Sequence, residues 1–251
     1  LLVDPTATTQ PELLNVTDVI NHELAHMWFG DLVTMKWWNG IWLNEAFATF
    51  MEMHATDAFR PEWDRWVTFG LSRTAAFDTD ALSSTRPIEY PVVSPAEAEG
   101  MFDILTYEKG AAVVRMLEQY LGADEFRDGI RSYLSANAYA NTETTDLWDA
   151  IEAATGEPVR RIMDSWIFQG GFPVIPVELF NDGSTVRFSQ QRLGYPGDLG
   201  EGDPLPEPSD DEPGPLWSVP LIFSQRSSRD GVVTFEKGLL EGPSIDVERV
   251  E

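Results

Sequence analysis

The sequence predicts an α+β protein in two parts, a mainly helical domain over residues 1–171 followed by a small antiparallel β-sandwich domain over 172–251. Three observations carry this expectation. Apolar residues recur at helical spacing from Leu13 to about Gln169. After Gly171 the pattern changes to short β-branched or aromatic runs. Asn181-Asp182-Gly183 and Asp230-Gly231 fall between those runs, as hairpin turns do.

Asn15 or Thr17 is the expected cap of a first helix carrying Val19, Ile20, Glu23, Leu24 and Met27. A tryptophan-rich connector follows, and Asn39-Gly40 marks a turn in it. A second helix starts near Leu43, with Phe47, Phe50 and Met51 on one side. Pro61 suits the first turn of a third helix holding Trp63, Trp66 and Val67, because its missing N–H is not needed there. Phe102 to Leu121 reads as one continuous helix stopped by Gly122. Further helices are expected over 123–136, 145–154 and 158–168, each close to a glycine or polar break. The expected strands are Val174–Phe180, Thr185–Ser189, Leu216–Phe223 and Val232–Phe235. Residues 196–215 are almost all Pro, Gly, Asp and Glu and read as an acidic surface loop. There is no internal repeat.

Composition narrows the function. With 42 Asp+Glu against 17 Lys+Arg the formal charge is −25, which repels nucleic-acid phosphates and anionic lipid. No uncharged run is longer than Ser165 to Val177, which holds two glycines and two prolines and is too short to span a bilayer. The chain has no cysteine, which excludes disulfides and thiolate metal sites and is compatible with any compartment. A cytoplasmic location is the default expectation. Without an initiator methionine or signal segment, Leu1 and Glu251 read as cut points within a longer protein.

Two of the three histidines form His22-Glu23-Leu24-Ala25-His26. Chance supplies such an H-E-x-x-H about 0.003 times in a chain of this composition. Residues four apart share one helix face, so both imidazoles can reach one ion with Glu23 beside them. Such a site needs a third ligand. Glu45 stands nineteen residues beyond His26, on the next expected helix, and completes a His₂Glu set with one coordination place open. That is the pattern of a catalytic zinc rather than a structural one. Thr49 and Asp31 are candidates to accept the second N–H of the ligand imidazoles. His54 reads as a packed histidine, since a fourth ligand would close the site. The Trp28, Trp37, Trp38 and Trp42 group reads as core.

The run from His22 to Thr34, then Trp42-Leu43-Asn44-Glu45-Ala46-Phe47-Ala48, resembles the aminopeptidase N family of zinc metallopeptidases, the gluzincins, nearest the puromycin-sensitive aminopeptidase branch. The likeness continues through Arg86-Pro87-Ile88, Phe102 to Gly110, and Trp166 to Val174. It implies a multidomain protein whose helical part is a thermolysin-like catalytic domain. It implies His22, His26 and Glu45 as ligands of one zinc ion, Glu23 as general base and Tyr107 as donor to the oxyanion. On its own residues, Tyr107 reads more readily as a core aromatic on an amphipathic helix; the surrounding motif is what favours catalysis.

The implied activity is removal of N-terminal residues from peptides with a free N-terminus. The family's Gly-x-Met-Glu-Asn stretch, whose glutamate grips the substrate ammonium, has no counterpart between Leu1 and His22. It is expected upstream of Leu1, along with an N-terminal β domain, with a helical domain expected after Glu251. The alternatives are an endopeptidase, an epoxide-type hydrolase on the same fold, or a non-catalytic scaffold.

Overall fold

The computed structural model describes residues 2–4, 6–194, 214–227 and 231–248. It is about half helical, with one two-stranded sheet among the helices and the other small sheets after residue 172, an α+β layout. The acidic stretch expected over 196–215 lies outside the described residues except Gly214 and Pro215.

Helix α1 spans Gln10–Ala25. It starts a turn earlier than Asn15, because Thr9 and Glu12 form a capping pair there. The Glu12 carboxylate accepts from the Thr9 N–H (2.8 Å) and hydroxyl (2.7 Å). Strand β1 (Val33–Met35) follows and pairs in parallel with β2 (Ala140–Thr142), a contact that no local pattern announced. Helix α2 (Trp42–Phe59) runs through the centre, and its residues from Trp42 to Phe50 are all buried. Of the four tryptophans expected in the core, Trp42 alone is buried; Trp28, Trp37 and Trp38 are exposed.

Pro61 does not begin α3. It opens a 3₁₀ turn ended by Asp64 in the left-handed region (φ 49°), and α3 is Arg65–Asp80. A short α4 (Pro95–Glu99) was hidden by its length, although Ser94 caps it. The expected helix from Phe102 to Leu121 runs continuously from Ile104 and stops at Gly122, but its opening is not regular α-helix. A π turn covers Leu105–Lys109, and only then does α5 (Gly110–Leu121) begin. α6 (Ala123–Ala136), α7 (Thr144–Thr155) and α8 (Val159–Ile167) lie close to the expected ranges. These helices enclose one apolar core built on Trp42, Phe47, Phe50, Leu117, Trp148 and Ile162.

Gly110 is required where α5 crosses α2. A Cβ there would lie 2.6 Å from the Ala46 Cβ, closer than real contacts allow. Gly110→Ala should therefore push the helices apart at about 1–3 kcal/mol. A thermal melt checks this; an unchanged Tm would mean that the helices separate freely.

The first expected strand is split by Ile175-Pro176 into β3 (Pro173–Val174) and β4 (Val177–Phe180). β3 pairs with β6 (Gln191–Arg192), while β4 pairs with β5 (Thr185–Ser189). β9 (Ser244–Glu248), not expected from the sequence, adds to β5. β7 (Val219–Arg226) and β8 (Val233–Leu240) form a hairpin displaced from the expected 216–223 and 232–235. All of these pairs are antiparallel. Trp217, Val219, Leu221 and Leu240 bury against Phe188, Ile245 and Trp166.

The junction between the helices and the sheets is pinned. Lys109, buried, meets Asp80 at 2.7 Å and donates to the Gly171 carbonyl (3.1 Å). Asp80 in turn accepts from the Gly171 N–H (2.9 Å). No helix among the described residues is long and apolar enough to cross a membrane.

Candidate active site

The last turn of α1 and the first turn of α2 face each other. His22 lies in that last turn, His26 is the C-cap, and Glu45 is the fourth residue of α2. The geometry brings three donors together: Glu45 Oε2 lies 3.3 Å from His22 Nε2 and 3.4 Å from His26 Nε2. Among the described residues these three form the one group of His, Asp or Glu placed to hold a metal, with ligand atoms within 4.8 Å of one another.

The opposite ring nitrogens explain the orientation. His22 Nδ1 lies 2.9 Å from Glu52 Oε2, and His26 Nδ1 lies 3.0 Å from the Phe29 carbonyl. Both partners are acceptors, so each Nδ1 carries a proton and each Nε2 is the atom turned to Glu45, free to bind a metal once its own proton has left. Two such imidazoles and one carboxylate suit a divalent transition metal with an open coordination place.

Glu52, not Thr49 or Asp31, therefore orients His22. It stands seven residues after Glu45, two helical turns along the same face, and that spacing was a readable signal. Behind it is a network with no local signal. Arg65 binds Asp18 (2.9 Å) and reaches Glu52 (3.6 Å), and Thr56 donates to Asp18 (2.9 Å). Arg65 comes from α3, so only the tertiary fold brings it here. His54 stacks on Phe50, with ring centroids 5.9 Å apart, and stands outside the donor group.

Electrostatics keep this site charged without a metal. Burial would lower the His22 imidazole, but its bonds to Glu45 and Glu52 outweigh burial and push it up to about 9. His26 is raised too, chiefly by its hydrogen bond to Glu45 against the opposing effect of burial. Burial would raise Glu45, yet the two imidazole donors hold it at about 2.

A cleft of about 540 Å³ opens beside the donors. His22, Glu23, Glu52, Tyr107 and Glu108 line it. Glu23 is exposed on α1, next to a ligand but outside the ligand group. Tyr107 is half-buried, its ring stacked on His22 with centroids 6.0 Å apart. Burial, reinforced by the negative charge of Glu45 and Glu23, raises the phenol pKa, so the hydroxyl keeps its proton at neutral pH. This arrangement offers a carboxylate from α1 and a phenol O–H in the lining of one cleft, with metal donors beside them.

Residues 1–166 match the peptidase family M1 domain. The chain is 47% identical over 216 residues to Tricorn protease-interacting factor F2 of Thermoplasma volcanium, covering 86% of this chain and 26% of that protein. It is 46% identical over 198 residues to Probable aminopeptidase 2 of Sulfurisphaera tokodaii, covering 78% and 25%. Aminopeptidase M1 of Arabidopsis thaliana is 44% identical over 202 residues, covering 80% and 23%. The chain thus spans about a quarter of the length of these relatives. A family match covering about two thirds of the chain, on the stretch that carries the donors, means that this chain belongs to peptidase family M1.

Proposed function

We propose that this chain carries the catalytic centre of a zinc-dependent aminopeptidase that cuts the first peptide bond of substrates with a free N-terminus. The observation that carries the reading is the convergence of His22 Nε2, His26 Nε2 and Glu45 Oε2 beside a cleft lined by Glu23 and Tyr107. On this reading the helical part is a thermolysin-like catalytic domain of a multidomain protein, and the sheets after residue 172 belong to a β-sandwich domain.

His22, His26 and Glu45 would hold the ion. When bound, zinc supplies Lewis acidity, polarising the scissile carbonyl and lowering the pKa of a water to roughly 7. The Glu23 carboxylate takes a proton from the attacking water and returns it to the departing amine nitrogen. The Tyr107 hydroxyl donates to the carbonyl oxygen as negative charge develops there. Glu52 and the Phe29 carbonyl fix the two imidazoles, so their Nε2 atoms need no reorientation.

Exopeptidase selectivity requires an anchor for the substrate ammonium, a role the resemblance gives to a glutamate upstream of Leu1. The test compares one peptide amide with a free and an acetylated N-terminus, using the full-length protein. Cleavage of the free form alone is the expected result. Equal cleavage of both would leave the hydrolytic centre standing and overturn the aminopeptidase assignment.

A further inference from the structure

Tyr107 does not sit on regular helix. It is the middle residue of the π turn Leu105–Lys109, a rare geometry that occurs mostly as single turns inside helices, frequently at functional sites. One guanidinium supports it. Arg86 Nη2 donates to Asp103 Oδ1 (2.6 Å) and its Nε to Asp103 Oδ2 (3.3 Å), a forked ion pair. Nη2 also reaches the hydroxyl of the fully buried Thr106 (3.0 Å), inside the turn. Nη1 donates to the carbonyls of Pro87 (2.7 Å) and Ile88 (3.1 Å), which tie the cation to its own loop.

Asp103 passes this restraint into the turn. Its Oδ1 accepts from the N–H groups of Leu105 (2.9 Å) and Thr106 (3.2 Å), and its carbonyl accepts from the Tyr107 N–H (3.1 Å). The first amides of the turn, which lack partners within it, are thus held by a carboxylate that a cation holds in turn. Neither Arg86 nor Asp103 lines the cleft or belongs to the donor group.

We propose that Arg86 and Asp103 are positioning residues for Tyr107, a clamp that sets the π turn so that the phenol stands over the metal donors. The proposal rests on the reading of Tyr107 as the oxyanion donor. A lysine cannot replace Arg86, because one ammonium cannot span the Asp103 fork, the Thr106 hydroxyl and two carbonyls at once. A displacement of the hydroxyl by about 1 Å is enough to cost on the order of 100-fold in rate.

The test uses the full-length zinc-loaded protein. Arg86→Lys is expected to lower kcat by about 10–100-fold with KM and zinc content unchanged. In a Tyr107→Phe background the same substitution should cost less than about twofold more, because the donor it positions is already gone. Asp103→Asn keeps an acceptor for the turn amides while losing the ion pair, so it should repeat this pattern even if Arg86→Lys folds poorly. An equal loss in both backgrounds would show that the clamp acts other than through Tyr107 and would overturn the proposal. A wild-type rate in Arg86→Lys and Asp103→Asn, with Tyr107→Phe slow, sinks the clamp but spares the tyrosine. A wild-type rate in Tyr107→Phe removes the role on which the clamp depends.

Discussion

Glu23→Gln is expected to keep one zinc per chain and lose about 10³-fold in kcat, the range of a lost general base. The substitution preserves side-chain shape and removes only the ability to accept a proton. Metal retention follows from geometry: Glu23 lies outside the group formed by His22, His26 and Glu45, and it is exposed rather than wedged between elements. KM should change little, since the residue's contribution is made as the proton moves. Tyr107→Phe should cost less, on the order of 100-fold, because it deletes one donor to the oxyanion and leaves the nucleophile intact. Metal analysis together with steady-state kinetics on each variant checks both values. A Glu23→Gln protein that turns over at the wild-type rate would remove this carboxylate from the reaction.

The donor set was legible because it is local. His22 and His26 are one helical turn apart, so periodicity puts both on one face, and Glu45 was read as the third donor from its place near the start of the next helix. What was not legible depends on the third dimension. Glu52 was within reach, two turns beyond Glu45, but Thr49 looked nearer and pattern alone does not rank acceptors. Arg65 and Asp18 act on His22 only through Glu52, and Arg65 arrives from a helix whose start was misplaced. It was misplaced because Pro61 serves a 3₁₀ turn ended by the left-handed Asp64. The π turn at Tyr107 was read as regular helix because its apolar spacing continues through it. The ion pair beside the turn, Arg86 on Asp103, joins residues seventeen apart in sequence. The strands shifted for a related reason: Pro176 splits the first run, and pairing, rather than β-branched composition, sets where β7 and β8 begin and end.

Glu45→Gln is expected to weaken zinc binding by at least about 100-fold. Binding free energies of about 10–16 kcal/mol for four-ligand zinc sites give roughly 3 kcal/mol per ligand. Activity at limiting zinc should fall with it. Glu52→Gln, one step removed, should cost about tenfold, the mild end of outer-partner effects, since the amide oxygen still accepts from His22 Nδ1. The metal-free site also sets a pH dependence. The His22 imidazole is raised from 6.5 to about 9 by Glu45 and Glu52 against the opposing effect of burial. Below that pH a proton occupies the nitrogen that the metal needs, and the raised His26 adds a second competing proton, so affinity should rise with pH by at least about tenfold per unit and level above about 9. Stability of the metal-free protein should move the other way. A raised imidazole stabilises fully below its unfolded pKa, and the contribution is lost as pH climbs from 6.5 through about 9. Zinc titration and thermal melts with and without zinc, between pH 6.5 and 9, should therefore show affinity increasing while metal-free stability declines. If the two rise together, the carboxylates do not hold a proton on His22, and its orientation must have another cause.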